Sequence, residues 1–283
     1  MAPQLGEHAG EIIAVGPGRV DELAGDLVGH VGAVRLIVAL GGGRIVDTAK
    51  ALAAVRKPGR RALVTAVPTT LSAAEMTAVH RRAAHSDTSL PGVRPALVVN
   101  DPALSASQPL ADLAASAANA LAHAVEGPAT VRASPVPALA GREAARLIGE
   151  AYASGSDEPD RDTLALAALL SGYTIDSAGY GLHHVLSQTL ARLAGVGHGP
   201  ANAAMLPHTL VALERRGAPA AGALVELATD LARRARSVRL SELGVDEAAL
   251  DACADAAAQR AELDAIPPRP DRAELRGLYA AAY

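Results

Sequence analysis

The chain has 283 residues, half of them hydrophobic, and a formal net charge of −4 from well-mixed charges. That balance excludes the basic footprint of a nucleic-acid binder and a polybasic membrane patch, and no apolar run is long enough to span a bilayer. The single cysteine, Cys253, excludes an internal disulfide and fits a reducing compartment.

The N-terminal Met1-Ala2-Pro3-Gln4 lacks the basic and apolar regions of a signal peptide, so the chain is read as cytoplasmic. Glu11–Val15 is a short strand candidate, followed by Gly16-Pro17-Gly18 and a helical pattern over Val20–Val28. Val34–Leu40 is a near-continuous apolar run that stops at Gly41-Gly42-Gly43, and a helical pattern then continues to about Val55. Ala62–Val67, closed by Pro68-Thr69-Thr70, and Ala96–Val99, closed by Asn100-Asp101-Pro102, are further strands. Apolar strands alternating with helices predict a parallel sheet covered on both faces.

After Asp101 the pattern changes. Helical periodicity marks Leu110–Glu126, Pro137–Tyr152, Asp162–Asp176, Gly181–Leu193, Ala201–Arg215 and Ala220–Arg236. Helices near Asp246–Gln259 and Asp271–Ala281 follow, the last with Asp271 and Glu274 as a capping pair. The fold class is therefore an α/β N-terminal domain, a Rossmann-like parallel sheet over residues 1–101, followed by an all-helical domain over 102–283. The chain has no Phe or Trp, so Ala, Leu and Val must fill the core. A pocket built this way offers little aromatic stacking for a flat cofactor.

Three stretches carry chemistry. A strand, then Gly41-Gly42-Gly43-Arg44, then a helix with Asp47 and Lys50 is either a phosphate cradle or a tight strand–helix turn. Glycines let the backbone approach a pyrophosphate, and the helix N-terminus supplies N–H donors. Thr69 and Thr70, at the carboxyl end of the next strand, can hold phosphate or ribose, or serve as ordinary loop and capping residues. Asn119 and His123, and likewise His184 and Gln188, lie four apart and share a helix face, while His198 precedes a helix start. His183 points to another side of its helix, which favours His184. Histidines suit zinc or iron, but the neutral amides Asn119 and Gln188 are poor ligands and disfavour tight metal binding. Arg44, Arg61, Arg81 and Arg82 are either phosphate partners or solvated surface charges.

Together these residues resemble the iron-containing alcohol dehydrogenase superfamily, most closely its maleylacetate reductase branch. The resemblance runs through Gly41–Lys50, Val67–Thr70 with Glu75-Met76-Thr77, Asn100-Asp101-Pro102, Asn119–Glu126, Gly181–His184, His198-Gly199 and Leu206-Pro207-His208. It implies a dinucleotide-binding domain, a helical domain, and an active-site cleft between them. It implies NAD(P)-dependent reduction of a carbonyl or alkene, or oxidation of an alcohol. The Asp and three His that hold the metal in metal-dependent members fall on Asn119, His123, Gln188 and His198. The asparagine is similar to the maleylacetate reductase branch, which can work without the metal, whereas the glutamine departs from it.

The chain is also short for that family. A strand–helix unit that helps bind the adenosine half of the cofactor is missing after Gly18, the expected glycine and serine are Ala73 and Ala74, and the helical domain is trimmed after Leu210. The leading expectation is a metal-independent NAD(P)-dependent reductase for a small carbonyl, enoate or alcohol. His123, His184 or His198 would donate the proton or stabilise the oxyanion, Asn119 and Gln188 would orient substrate, and Gly41, Gly42, Gly43, Asp47, Thr69 and Thr70 would bind the cofactor. The alternatives are a non-redox cyclase, dehydratase or isomerase that uses the cleft histidines without cofactor, and a non-catalytic homologue. A small-molecule substrate is expected, with no nucleic acid or membrane partner. A trimmed sheet would leave an edge that a homodimer could cover.

Overall fold

A computed structural model of the chain describes residues 35–55, 62–79, 90–153, 157–218 and 220–283. The predicted strand Glu11–Val15, the turn Gly16–Gly18, the helix Val20–Val28, the missing unit after Gly18, and Arg61, Arg81 and Arg82 lie outside these residues. The chain divides into two compact units, Met1–Ser107 and Gln108–Tyr283.

In the first unit, β1 (Leu36–Gly41), β2 (Leu63–Pro68) and β3 (Leu97–Val98) form a parallel sheet in the order β1-β2-β3. β1 pairs from Leu36 with Leu63 to Gly41 with Pro68, and β2 pairs Thr65 with Leu97. Helix α1 (Gly43–Ala54) follows β1. Because strand side chains alternate between faces, Ile37, Ala39, Val64 and Ala66 turn inward and pack with Ile45, Val46, Ala49, Leu52 and Ala53 of α1. Leu36, Leu40, Leu63 and Leu97 point the other way and are about half exposed. Among the described residues the sheet is thus covered on one face, where the apolar runs had predicted two. An unbroken run of apolar side chains states how hydrophobic each face is, but not whether a neighbour covers it.

The second unit is helical. It comprises α2 (Leu110–Ala129), α3 (Pro135–Tyr152), α4 (Arg161–Ala178), α5 (Leu182–Leu193), α6 (His198–Arg215), α7 (Val225–Arg234), α8 (Ala249–Ala258) and α9 (Arg272–Ala282). Short 3-10 turns at Gly222–Leu224 and Ala261–Ala265 interrupt the series, the first replacing the start of the helix predicted from Ala220. Helix α2 is the central element, touching α3, α4, α5, α6 and α7. It is apolar nearly all round, with Ala117, Ala118, Ala120, Leu121 and Ala122 fully buried, as a helix enclosed by neighbours must be. Small residues set the spacing. A Cβ added at Gly141 of α3 would strike the Ala124 carbonyl of α2, so only glycine permits that approach.

Side chains fix several helix ends. Asp160 accepts from the backbone N–H groups of Asp162 and Thr163 at the start of α4. Asp271 accepts from Glu274 N–H at 2.8 Å and caps α9, as the sequence predicted. Helix α6 begins at His198 itself, with Gly197 as its N-cap and Pro200 in the first turn, where a missing N–H costs nothing.

Candidate active site

Helix α2 carries Asn119, His123 and Glu126 at a spacing that places all three on one face. Helix α5 meets that face with His184. The His123 and His184 rings stack with centroids 4.6 Å apart and planes 12° from parallel. Tyr180, just ahead of α5, tilts against His184 at 5.6 Å. All three polar residues of α2 are buried, as are His183 and His184.

Glu126 joins the two helices. Its Oε1 accepts the backbone N–H of His183 at 2.6 Å. Its Oε2 accepts the backbone N–H of His184 at 3.3 Å and lies 2.5 Å from His184 Nδ1. The N-cap Gly181 has no side chain to cap α5, so a carboxylate from α2 performs that task and meets the positive end of the helix. Burial raises the Glu126 pKa, while the nearby His183 ring and the amides of His183, His184 and Gly181 pull it back.

His183 faces away from His123, as the helix phase predicted. Its Nε2–H donates to Asn202 Oδ1 at 3.1 Å, and its Nδ1 accepts from the Thr209 hydroxyl at 2.8 Å. That assignment follows from Asn202, whose amide nitrogen donates to Asn119 Oδ1 at 2.8 Å and leaves its oxygen as the acceptor. Asn119 is therefore held by a relay from α6 through Asn202.

These imidazoles are neutral at ordinary pH. Burial pushes His183 and His184 down to about 3, with the neighbouring histidines adding to it. Burial also takes His123 well below its usual range, reinforced by His184, His198 and His183. Two ring nitrogens, His123 Nδ1 and His184 Nε2, are buried without a hydrogen-bond partner. A polar atom left in that state costs about 1–3 kcal/mol.

Gln188 is placed elsewhere. The resemblance put it among the ligand positions, yet α5 brings His184, not Gln188, against His123. Gln188 Oε1 accepts from Arg260 Nη2 at 3.1 Å. Arg260 is gripped by Glu262 through Nε at 3.0 Å and Nη2 at 2.6 Å, and its Nη2 also donates to Tyr180 OH at 3.3 Å. The Arg260 guanidinium holds the Glu262 carboxyl down to about 2. His198 is half-buried at the first position of α6, near enough for its charge to act on His123 and His184. Among the described residues no three His, Cys, Asp or Glu side chains form a group that could hold a metal ion.

In the first unit, the glycine turn packs against the hydroxyl loop that follows β2. A Cβ at Gly42 would come within 3.0 Å of Thr70 Cγ2, and one at Gly43 within 2.8 Å of Ser72 Oγ. Thr69 N–H donates to the Gly41 carbonyl at 3.1 Å. The helix N-terminus and the Thr70 and Ser72 hydroxyls thus occupy one spot at the carboxyl ends of two parallel strands. Asp47 turns inward and pairs with the fully buried Lys50 at 2.9 Å. Lys50 in turn ties down the carbonyls of Ala74, Thr77 and Val79. Asp47 therefore anchors the loop through Lys50. Ala73, where the resemblance expects glycine, has a φ of 64°, a conformation that glycine adopts without strain.

Comparison with known proteins agrees with this architecture. The Fe-containing alcohol dehydrogenase family, C-terminal, matches residues 113–218. Maleylacetate reductase of Pseudomonas aeruginosa is 31% identical over 268 residues, 87% of this chain and 73% of that protein. The chain belongs to the iron-containing alcohol dehydrogenase family. The crystal structure of maleylacetate reductase from Agrobacterium tumefaciens superposes with a TM-score of 0.79 at 27% identity, covering 93% of this chain and 78% of that one. 1,3-Propanediol dehydrogenase of Klebsiella pneumoniae is 39% identical over 118 residues, 40% of this chain. The chain spans only 30% of that relative's length. This member of the iron-containing alcohol dehydrogenase family has stacked His123 and His184, a glycine turn at Gly41–Gly43 and an amide at position 119.

Glu126, Asn202, Tyr180 and Arg260 have no place in the sequence reading as functional residues. Glu126 had a local signal, three residues beyond His123 on the same helix face. Asn202 is one turn after His198. Arg260 is 72 residues from Gln188, and nothing near either position announces the pair.

Proposed function

We propose that the chain is an NAD(P)-linked reductase or dehydrogenase for a small carbonyl, enoate or alcohol, working without a resident metal. One observation carries the reading: the neutral His123–His184 stack, with His123 Nδ1 and His184 Nε2 buried and unpartnered. Such nitrogens can hold or move a proton at a substrate oxygen. The residues present do not fit a resident iron. Position 119 offers an amide whose oxygen is already taken by Asn202, and both oxygens of Glu126 are committed to α5. A transition metal would find imidazoles without the carboxylate that usually completes their shell.

The residues around the glycine turn do fit a dinucleotide. Gly41, Gly42 and Gly43 with Thr69 and Thr70 would hold the pyrophosphate, and a bound nicotinamide would supply the hydride. Asp47 would act indirectly, by fixing Lys50 and the loop. Asn119 would orient substrate, its own oxygen fixed by Asn202. His198 would add a third polar group, and Gln188, held by Arg260, would act on substrate only indirectly. The name maleylacetate reductase, shared by relatives that cover most of this chain, supports an oxo-acid substrate. Titration with NADH and NADPH tests the reading, and absence of binding at millimolar concentration would overturn it in favour of cofactor-free chemistry at the same histidines.

A further inference from the structure

The reductase reading gives His184 a role without saying which of its nitrogens carries the proton. That choice is made by Glu126. Oε1 faces the backbone N–H of His183, a group that can only donate. Oε2 receives the backbone N–H of His184 and touches His184 Nδ1. Burial raises the Glu126 pKa, but the amides of His183, His184 and Gly181 at the positive end of α5 pull against it, and an ionised carboxylate only accepts. We propose that Glu126 is a positioning residue that fixes His184 as its Nδ1–H tautomer, so that Nε2 faces the site as an acceptor.

Two consequences follow. The buried, partnerless Nε2 is a lone pair with no proton to give, so neutral His184 receives a hydrogen bond from a hydroxyl or takes its proton. It is the base of the alcohol-oxidising direction, and in the reducing direction it can return only a proton it has first acquired. This substrate role rests on the reductase reading, whereas the tautomer itself does not.

The variant Glu126→Gln separates positioning from simple helix capping. The Gln oxygen stays on the His183 N–H, the shorter of the two backbone contacts at 2.6 Å against 3.3 Å for the His184 N–H. The amide NH2 then faces His184 Nδ1, which has to become an acceptor, and the proton moves to Nε2. The experiment is long-range 1H–15N correlation on protein with 15N-labelled histidine at neutral pH, with His184 assigned by its loss in His184→Asn. In the unsubstituted protein Nδ1 should carry the protonated-type shift and Nε2 the unprotonated one. In Glu126→Gln the two should exchange, and Glu126→Asp should keep the original pattern. A proton on Nε2 in the unsubstituted protein, or the same tautomer in Glu126→Gln, would overturn the proposal. If Glu126→Gln does not fold, the unsubstituted protein and Glu126→Asp still decide it. The spectra need neither cofactor nor substrate. An Nδ1–H tautomer in a protein that fails to bind NAD(P)H would therefore remove the reductase reading and leave the positioning role. Where turnover is measured, Glu126→Gln should lower kcat by roughly tenfold or more, in line with other residues that orient a histidine from behind.

Discussion

His123 and His184 are 61 positions apart in the chain, yet their rings lie 4.6 Å from one another and nearly parallel. Two charged imidazolium rings could not be held so, buried and face to face. The stack exists because both rings are neutral, and they are neutral because burial disfavours the cation. His123→Ala and His184→Ala should each lower kcat/KM by about a hundredfold or more, the usual contribution of a positioned acid or base, while circular dichroism stays that of the folded protein. Unchanged turnover in both variants would remove the stack from the chemistry.

The hydroxyl loop supplies a second test. The Ala74 methyl lies 3.7 Å from the place where a Cβ on Gly43 would sit. Ala74→Ser adds a hydroxyl beside the turn, and one extra hydrogen bond of about 1 kcal/mol should tighten NAD(P)H binding roughly fivefold. Gly43→Ala should do the reverse, because its methyl would meet Ser72 at 2.8 Å. Fluorescence titration of NADH and NADPH reads both. Equal affinities across the three proteins would mean that the turn holds no phosphate.

Glu75 gives a prediction in pH. It is buried beneath the same loop, and burial raises its pKa from 4.5 to about 7. A carboxyl whose folded pKa is raised binds its proton more tightly in the folded state. Its cost is therefore absent below pH 4.5, grows through the window from 4.5 to 7, and is complete above it. The full cost is about 3 kcal/mol. Glu75→Gln should therefore stabilise the protein at pH 8 by about 2–3 kcal/mol and have little effect at pH 4.5. Urea unfolding at the two pH values checks this, and a gain independent of pH would contradict it.

Much of the architecture could be read from the chain. Val34–Leu40 ending in three glycines leaves little choice but a strand feeding a turn and a helix, and α2 to α6 follow their apolar periodicity closely. The site was legible only in part. Spacing of four places His184 and Gln188 on one helix face, but which of them meets His123 depends on where α2 crosses α5, and that is set by packing between distant segments. Asp47 looked like a cofactor contact because it lies in the first turns of α1. It also lies three residues from Lys50, and inside a small core that ion pair prevails. Glu126 was visible within the motif as a residue but not as a cap, because the helix it caps begins more than fifty residues later.

The proposed reductase would need its histidines and its nucleotide but no iron. The most direct measurement is the initial rate of NAD(P)H oxidation with maleylacetate before and after exhaustive chelation, with bound metal determined by mass spectrometry on the same samples. A metal-independent reductase should keep its turnover after chelation in protein holding far less than one metal per chain. Activity that disappears on chelation and returns with ferrous iron would contradict it.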